Sequence, residues 1–282
     1  MSDGKPLVIG VRDSGVGGLT VARCLKLALP HARLLYFADT AHVPYGERTP
    51  EEVRHYALSI SRFLIANGAQ MLVFACNTST ALALELARQT FDLPIIGTIE
   101  PGARAALEVS ANRKIGVLAT AATVNSGVYS HWLRCLNPEV ETFEVACPQF
   151  VPLVESEQTE SDAARHAARE YLQPLLDAGV DTVILGCTHY PLLLPVLREA
   201  APAMRFVDPA EAVAAEVKRR AQTHSAIAGE DRFFASGESE GVARWIEKLL
   251  SQNADVETGP VFDLPSDAKH AKPETTKFGC TL

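Results

Sequence analysis

The sequence predicts an α/β protein made of two similar lobes with mostly parallel sheets and a ligand-binding cleft between them. Three features predict this fold. Short apolar segments alternate with amphipathic segments of helical length along most of the 282 residues, as expected for parallel strands joined by helical crossovers. A strand–turn–helix pattern occurs twice. Each copy is followed, at a similar interval, by a cysteine at the end of a further apolar segment.

Seven apolar segments predict strands that are buried on both faces, because each is short, rich in aliphatic residues and bounded by turn residues. In chain order they are PLVIGV (6–11), LLYFAD (34–39), MLVFA (71–75), KIGVLA (114–119), TFEVA (142–146), TVILG (182–186) and RFFAS (232–236).

A helix is predicted over residues 51–68, between the second and third strands. Thr49 and Glu52 form the pattern of a capping box before it, and Asn67-Gly68 is a typical helix end. Its apolar residues recur at helical spacing; they are Val53, Tyr56, Ala57, Ile60, Phe63 and Leu64.

The duplicated pattern predicts two similar lobes that face each other. The segments LVIGVRDSGVGGLTVARCL and KIGVLATAATVNSGVYSHWL each read as a strand, a small polar turn and a helix. Residues 1–98 with 209–252 are expected to form a first Rossmann-like lobe, and residues 99–208 a second one, because IIGTIEPG (95–102) leaves the first lobe and RFVDPAEA (205–212) re-enters it. Residues 253–282 are polar, contain prolines and lack periodicity, so they predict a polar C-terminal tail.

Composition argues against several classes of function. The formal net charge is −8 and the lysines and arginines are scattered, so no basic surface for nucleic acid is expected. No apolar segment reaches the length of a membrane helix, and the N-terminus lacks the pattern of a signal peptide. A cytoplasmic location with reduced thiols is therefore expected.

The cysteines and histidines do not form a recognisable metal motif. The six cysteines include no CxxC pair and the eight histidines no HExxH pattern, so no metal site is expected. Buried structural roles are expected for three of the cysteines, namely Cys24, Cys135 and Cys147.

The motif DSGVGG (13–18) lies between the first strand and a helix. Its glycines permit a tight turn whose backbone N–H groups can hold an anion. A phosphate-binding loop is the first alternative, but the lysine and the glycine spacing of such loops are missing. Asp13 lies at the carboxyl end of a strand, where ligands bind in α/β sheets; the alternative is a helix cap. Ser14 follows it.

The loop VPYGE (43–47) leads into the predicted helix. Pro44 and Gly46 shape its turn, and a rigid loop of this kind can present backbone groups to a ligand. The alternative is that Tyr45 is simply part of the core.

The motifs ACNTST (75–80) and GCTHYP (186–191) carry the most chemical information. Each places a cysteine where a strand ends and a helix is expected to begin, a position that lowers the pKa of a thiol. His189 can orient or protonate Cys187, because histidine titrates near neutral pH. The hydroxyl and amide groups beside the thiols suit a carboxylate ligand; they belong to Asn77, Thr78 and Thr188.

Two cysteines in matching positions favour a reaction that uses both. A cysteine-histidine hydrolase needs one nucleophile and leaves Cys76 unexplained. Inversion of a carbon centre needs a base on one face and an acid on the other, and a thiolate–thiol pair can provide both. The route through pyridoxal phosphate needs a Schiff-base lysine, and no motif offers one, so no cofactor is expected.

Four motifs in this order, DSGVGGLTV, VPYG, ACNTST and LGCTHYP, resemble those of the cofactor-independent glutamate racemases. The resemblance covers about residues 7–250 and includes IEPGARAA, ATAATVNSGVY and CPQFVPLVE. It implies interconversion of L- and D-glutamate, a small-molecule substrate, and a supply of D-glutamate for peptidoglycan, cell wall biogenesis and cell shape. It also implies two α/β lobes with the active site between them.

The resemblance also implies roles for individual residues. Cys76 and Cys187 match the two catalytic acid/bases, of which the first acts on D-glutamate and the second on L-glutamate. Asp13 would support Cys76, and His189 would support Cys187. The positions that match substrate contacts or line the same cleft are Asp13, Ser14, Tyr45, Gly46, Asn77, Thr78, Thr120, Thr123, Glu155, Thr188 and His189.

Two positions depart from the pattern of that family. Arg12 stands where an apolar or aromatic residue is usual, and Ala38 where glycine is common. The charge of Arg12 adjoins Asp13, and the sequence leaves open whether its side chain acts on the site or points away from it.

Alternatives to a glutamate racemase also remain at this point. One is a racemase for aspartate or another amino acid within the same superfamily. Another is a cell-wall or DNA-gyrase-interacting protein with secondary catalysis. The sequence does not give the oligomeric state, and a homodimer is compatible with it.

Overall fold

The computed structural model describes residues 6–221 and 229–264. Ten strands and eleven α-helices alternate along this part of the chain. The strands are β1 (Val8–Asp13), β2 (Arg33–Ala38), β3 (Met71–Phe74), β4 (Ile95–Gly97), β5 (Lys114–Ala119), β6 (Glu141–Ala146), β7 (Thr182–Gly186), β8 (Arg205–Val207), β9 (Arg232–Ala235) and β10 (Val256–Thr258).

The helices follow the strands as crossovers. They are α1 (Leu19–Ala28), α2 (Pro50–Ala66), α3 (Asn77–Thr90), α4 (Ile99–Val109), α5 (Ala121–Ser126), α6 (Val128–Leu136), α7 (Phe150–Glu155), α8 (Asp162–Asp177), α9 (Leu194–Ala200), α10 (Pro209–Arg220) and α11 (Glu240–Leu250). Two short 3₁₀ helices span Tyr45–Glu47 and Tyr190–Leu193. No helix in the described ranges is long and apolar enough to cross a bilayer.

The strands form two sheets in which every pairing is parallel. The six-stranded sheet has the order β10-β9-β2-β1-β3-β4 and the four-stranded sheet the order β6-β5-β7-β8. Strands β1 to β4 of the first sheet and β5 to β8 of the second therefore share one order: second, first, third, fourth. This shared order agrees with the duplicated sequence pattern, and the predicted fold class is confirmed.

The predicted helix over residues 51–68 is α2, and its ends are formed by the predicted residues. The Thr49 hydroxyl accepts from the Glu52 N–H at 3.3 Å, and the Glu52 carboxylate accepts from the Thr49 N–H at 2.9 Å. These two bonds make the capping box, which satisfies N–H groups that have no partner inside the helix. The helix ends at Ala66 with Asn67 as its C-cap, followed by Gly68 in the left-handed region at φ +98°.

The structure contains three strands that the sequence pattern did not predict, β4, β8 and β10. Each is three residues long, too short to show an alternating or apolar pattern. Strand β10 lies in the predicted polar tail and pairs with β9 at the edge of the first sheet. The tail prediction is therefore wrong for residues 256–258, while residues 265–282 lie outside the described residues. The predicted lobe boundaries at residues 98 and 209 stay predictions.

The topology brings four strand ends to one place. Asp13 is the last residue of β1, and Cys76 follows β3 by two residues. In the second sheet, Thr120 follows β5 directly and Cys187 follows β7 directly. Because carboxyl ends of parallel strands share one edge of a sheet, these side chains lie where the two sheets face each other.

Candidate active site

A small cavity lies between the carboxyl ends of the two sheets. Its volume is about 20 Å³, enough for about one water molecule and smaller than any amino acid. The cleft is therefore closed in this structure, and a ligand requires it to open. The residues that line it are Ser14, Val43, Pro44, Tyr45, Gly46, Cys76, Asn77, Thr78, Thr120, Val151, Cys187, Thr188 and His189.

Ten of the thirteen residues predicted for the site line this cavity directly. The remaining three, Asp13, Thr123 and Glu155, are hydrogen-bonded to residues that do. The structure thus brings the whole predicted set together from both lobes. Within the described ranges, no group of three or more His, Cys, Asp or Glu side chains is arranged to hold a metal ion.

Asp13 is fully buried and links the two lobes. Its Oδ1 accepts from the Thr188 hydroxyl at 3.2 Å, and its Oδ2 accepts from the Gly15 N–H at 3.1 Å. Burial raises the pKa of the Asp13 carboxyl, although the charge of His189, two backbone N–H groups and Arg12 act in the opposite direction. The carboxylate is both a turn cap and a contact to the opposite cysteine motif.

Cys76 lies at the N-cap of α3, as the sequence predicts, and is 5% exposed. Its pKa is raised, mainly by burial and then by the Asp13 carboxylate, while Arg12 and the Ser79 N–H act to lower it. The expectation that a helix N-terminus gives a lowered pKa is thus wrong for this thiol. In the closed cleft, the loss of water outweighs the favourable electrostatics of the helix end.

Cys187 forms a chain of contacts with His189 and Glu155. The Cys187 Sγ lies 3.8 Å from His189 Nδ1, and His189 Nε2 lies 2.6 Å from Glu155 Oε1. Burial alone lowers the pKa of His189, but its contacts with the thiol and the carboxylate outweigh burial and raise it well above the ordinary value. The imidazole is therefore held between an acid and a thiol. Cys187 begins a turn and a 3₁₀ helix, rather than the α-helix that was expected.

Three threonines connect the lobes beside the thiols. The Thr78 hydroxyl lies 2.9 Å from that of Thr120 and 3.3 Å from that of Thr123, and the last two are 3.1 Å apart. Gly46 packs closely on Thr120, because a Cβ added to it would lie 2.9 Å from the Thr120 Cβ. The cleft is thus lined by neutral hydroxyls on both sides.

Asn77 is oriented by two residues that sequence reasoning missed. Its Oδ1 accepts from the Tyr129 hydroxyl at 2.7 Å and from the Thr98 hydroxyl at 2.9 Å. Since both donors bind the oxygen, the NH₂ group is the end left to face a ligand. Tyr129 is in the stretch ATAATVNSGVY that carries the family resemblance, but nothing in that stretch signals its partner.

The Tyr45 loop is held by a second polar cluster. The Tyr45 hydroxyl donates to Asp39 Oδ2 at 2.5 Å, and Asp39 also contacts His42 Nδ1 at 2.9 Å and the Ser236 hydroxyl at 2.7 Å. These contacts hold the pKa of Asp39 below its ordinary value despite its burial. The departure at Ala38 lies beside this cluster, buried at the end of β2 opposite Asp13.

A larger cavity, of about 300 Å³, lies away from the cysteines among α3, α4, α6 and α10. Its arginines are paired within their own helices, as in Arg88–Glu85 at 2.8 Å and Arg104–Glu100 at 3.1 Å. It contains no cysteine, so the chemistry predicted from the motifs belongs to the smaller cavity.

We expect Gly17→Ala to lower kcat/KM for the reaction catalysed at this site by about 100-fold or more, since a misplacement of about 1 Å in a catalytic group has effects of that size. A Cβ on Gly17 would lie 2.5 Å from Thr188 Oγ1 and 2.6 Å from His189 Nδ1. These atoms belong to the opposite lobe and must shift away. Gly241→Ala is the matched control, because the nearest atom to its Cβ is 3.8 Å away. Equal kcat/KM for the two variants would contradict this packing.

We expect Glu155→Gln to lower the pKa of His189, because glutamine keeps the contact but not the negative charge. His189, whose pKa is raised in the folded protein, stabilises the fold fully below its unfolded pKa of about 6.5. This stabilisation is lost as the pH rises through the folded pKa. The wild type should therefore exceed the variant in Tm most below about pH 6.5, and the gap should close at higher pH. NMR titration of the His189 ring checks the shift; an unchanged ring pKa would contradict the assignment.

Comparison with known proteins identifies the family. The Asp/Glu/Hydantoin racemase family matches residues 19–217. The glutamate racemase of Desulforudis audaxviator is 50% identical over 205 residues, covering 72% of this chain and 75% of that protein. The chain belongs to this racemase family. The resemblance found in the motifs is confirmed, and the enzyme is an isomerase.

Solved structures of glutamate racemases share the fold along almost the whole chain. The isoform RacE1 of Bacillus anthracis superposes with a TM-score of 0.85 at 34% identity, covering 90% of this chain and 98% of the other. The Francisella tularensis enzyme, solved in complex with D-glutamate, gives 0.82 at 28% identity, covering 92% and 98%. Both lobes of this racemase are thus represented in those structures.

Proposed function

We propose that this racemase interconverts L- and D-glutamate without a cofactor, using Cys76 and Cys187 on opposite faces of the α-carbon. One observation carries the proposal. The two thiols come from the corresponding strand ends of two similar sheets and line the same closed cavity. A substrate held between them meets one sulfur from each side.

In the direction from L- to D-glutamate, Cys187 acts as the thiolate that removes the α-proton. Cys76 then delivers its thiol proton to the other face, and the two groups have exchanged protonation states at the end of the turnover. The raised pKa of Cys76 fits this step, because it keeps that sulfur protonated and ready to act as the acid. In the reverse direction the roles are exchanged.

His189 and Asp13 support the two thiols differently. His189, held by Glu155, lies within 3.8 Å of the Cys187 sulfur and can stabilise its thiolate as an imidazolium. Asp13 faces the Cys76 side, where a carboxylate disfavours the thiolate and favours the thiol. This asymmetry suits a resting enzyme with one base and one acid.

The substrate carboxylates and amine are expected to bind neutral donors and acceptors. The Asn77 NH₂ group and the hydroxyls of Ser14, Thr78 and Thr188 are within the cavity lining. Carboxylate binding by such groups needs no lysine or arginine in the cleft, and charge-assisted hydrogen bonds to neutral donors are strong when water is excluded.

The biological role that we propose is the supply of D-glutamate for peptidoglycan, and thereby for cell wall biogenesis and cell shape, in the cytoplasm. The family resemblance of the four motifs supports this role. The expectations about nucleic acid, a homodimer and a second partner such as gyrase stay predictions.

The experiment that tests the function is polarimetry of L-glutamate incubated with the purified enzyme, without added cofactor. Optical rotation should decay to zero, and D-glutamate should decay to the same end point. L-Aspartate is the control substrate and should react far more slowly. The proposal fails if glutamate keeps its rotation. It also fails if activity is lost on treatment with a chelator or a carbonyl reagent and returns only with the metal or pyridoxal phosphate.

A further inference from the structure

Arg12 is a fully buried arginine next to the candidate site. It precedes Asp13 in β1 and is paired in register with Phe37 of β2 and Phe74 of β3. Since successive residues of a strand point to opposite faces, its side chain lies on the sheet face opposite to that of Asp13. The guanidinium there contacts aromatic rings, with its Cζ 4.9 Å from the centre of Phe74 and 5.7 Å from that of Tyr45.

The guanidinium has few partners for a buried charge. Nη2 donates to the Tyr45 hydroxyl at 3.2 Å, while Nε and Nη1 have no hydrogen-bond partner among the described residues. No ion pair within 4.0 Å involves Arg12 in the described ranges. A charge buried in this way is unfavourable unless it acts on another charge. An apolar side chain would fill the same space with less cost, so packing does not account for an arginine here.

Arg12 lies close to Cys76 through three connections. Cys76 is two residues beyond Phe74, and both belong to the same buried cluster as Tyr45. The Ala75 N–H donates to the Arg12 carbonyl at 3.0 Å, which fixes the start of the cysteine motif against β1. Tyr45, which holds the guanidinium, lines the cavity with Cys76.

The two thiols differ in their charged neighbours. Cys187 has His189 at 3.8 Å, a group that can become positive. Cys76 has the Asp13 carboxylate and the Cys187 thiol near it, and both oppose a negative sulfur. Arg12 is the group whose positive charge acts in the other direction on Cys76. The Tyr45 hydroxyl that accepts from Arg12 also donates to the Asp39 carboxylate.

We propose that Arg12 is a positioning residue for the Cys76 half of the site, where its positive charge stabilises the thiolate and its hydrogen bond fixes the Tyr45 hydroxyl. Arg12 provides the positive charge on the Cys76 side, as protonated His189 does on the Cys187 side. The inference rests on the proposed two-thiol function, because it concerns the step in which Cys76 is the base.

The first test measures the Cys76 thiol without any substrate. The rate of alkylation of Cys76 by iodoacetamide is followed against pH by peptide mass spectrometry. Arg12→Met should raise the midpoint by about one pH unit, because it removes the positive charge. Arg12→Lys, which keeps the charge, should stay near the wild type. Arg62→Met is the matched control, since Arg62 is exposed and packs on Phe91 away from the site.

The second test separates the two halves of the reaction. In racemisation the values of kcat/KM for the two enantiomers must be equal, because the equilibrium constant is one. Elimination from glutamate analogues with a β leaving group avoids this constraint, since only proton abstraction matters. Arg12→Met should slow elimination from the D-analogue about tenfold, the effect of about one pKa unit. Elimination from the L-analogue should change much less, because Cys187 is the base in that reaction.

The outcomes distinguish this inference from the proposed function. If the wild type racemises glutamate but Arg12→Met leaves both the alkylation midpoint and the D/L elimination ratio unchanged, Arg12 has no such role. An equal loss for both analogues also overturns the inference, because it indicates a general structural effect. If Arg12→Met does not fold, Arg12→Gln is used instead. Its alkylation midpoint and its D/L elimination ratio must then differ from those of Arg12→Lys in the direction expected for Arg12→Met. If the wild type does not racemise glutamate, the function itself fails.

Discussion

Replacing either Cys76 or Cys187 with serine is expected to lower the rate of glutamate racemisation by about 10³-fold, within the range known for loss of a general acid or base. A serine hydroxyl is far less acidic than a thiol, so it can provide neither the base nor a comparable acid. Each turnover needs both groups, and therefore each single variant should lose the reaction in both directions. Polarimetry with L- and D-glutamate measures the loss.

The two serine variants should nevertheless differ in a partial reaction. With analogues that lose a β leaving group after proton abstraction, only the abstracting thiol is needed. Cys76→Ser should retain elimination from the L-analogue and lose it from the D-analogue, and Cys187→Ser should do the reverse. A hydrolase with one nucleophile, or a binding protein, predicts no such reciprocal pattern.

Cys24→Ser is the control for these variants. Cys24 lies in α1, is half-buried and has a pKa raised to about 11, mainly by burial, and it does not line the cavity. Its variant should racemise glutamate at the wild-type rate. If Cys76→Ser or Cys187→Ser behaved like Cys24→Ser in both directions, the two-thiol mechanism would have to be abandoned.

His189→Asn is expected to lower racemisation by about 10²-fold, at the lower end of the range for acid–base support. Asparagine is close in size and keeps polar atoms, but it cannot become positive beside the Cys187 sulfur or pair with Glu155 as a charged group. The thiolate of Cys187 should therefore form less readily. Elimination from the L-analogue should fall more than elimination from the D-analogue, as measured by release of the leaving group.

His166→Asn makes the same chemical change at an exposed position of α8 and should leave both eliminations unchanged. If His189→Asn lowered the two eliminations equally, His189 would act on the closed cleft as a whole rather than on Cys187. Thermal unfolding of both variants shows whether the fold is kept.

Most of the fold could be predicted because six of the seven predicted strands are almost wholly buried and their apolar segments are therefore continuous. The expected burial on both faces is wrong for β6, which lies at a sheet edge and is only half-buried. Seven of the strands occur at the predicted places. Strands β4, β8 and β10 could not be predicted, since three residues cannot establish a pattern and their pairing depends on neighbours far away in the chain. Strand β10 shows this best: Val256 lies in a polar segment and is ordered by its partner strand β9.

The motifs predicted which residues meet, but not how they are held. Cys76 and Cys187 were predicted to meet because each lies at the end of a strand in one copy of the duplicated pattern, where ligands bind in α/β sheets. The bond from Tyr129 to Asn77 joins different lobes and depends on how the sheets dock. The direction of the Arg12 side chain likewise follows from strand register, which a single sequence does not reveal.

The measurement that tests the central claim most directly is racemisation of L-glutamate by the wild-type enzyme in deuterium oxide, stopped at early times. The α-proton removed by Cys187 stays on that sulfur, while Cys76 delivers a deuteron from its own exchanged thiol. We therefore predict deuterium at the α-carbon of the D-glutamate formed and almost none in the recovered L-glutamate. Equal labelling of product and recovered substrate from the first time points would contradict two opposed bases and indicate a single group acting on both faces.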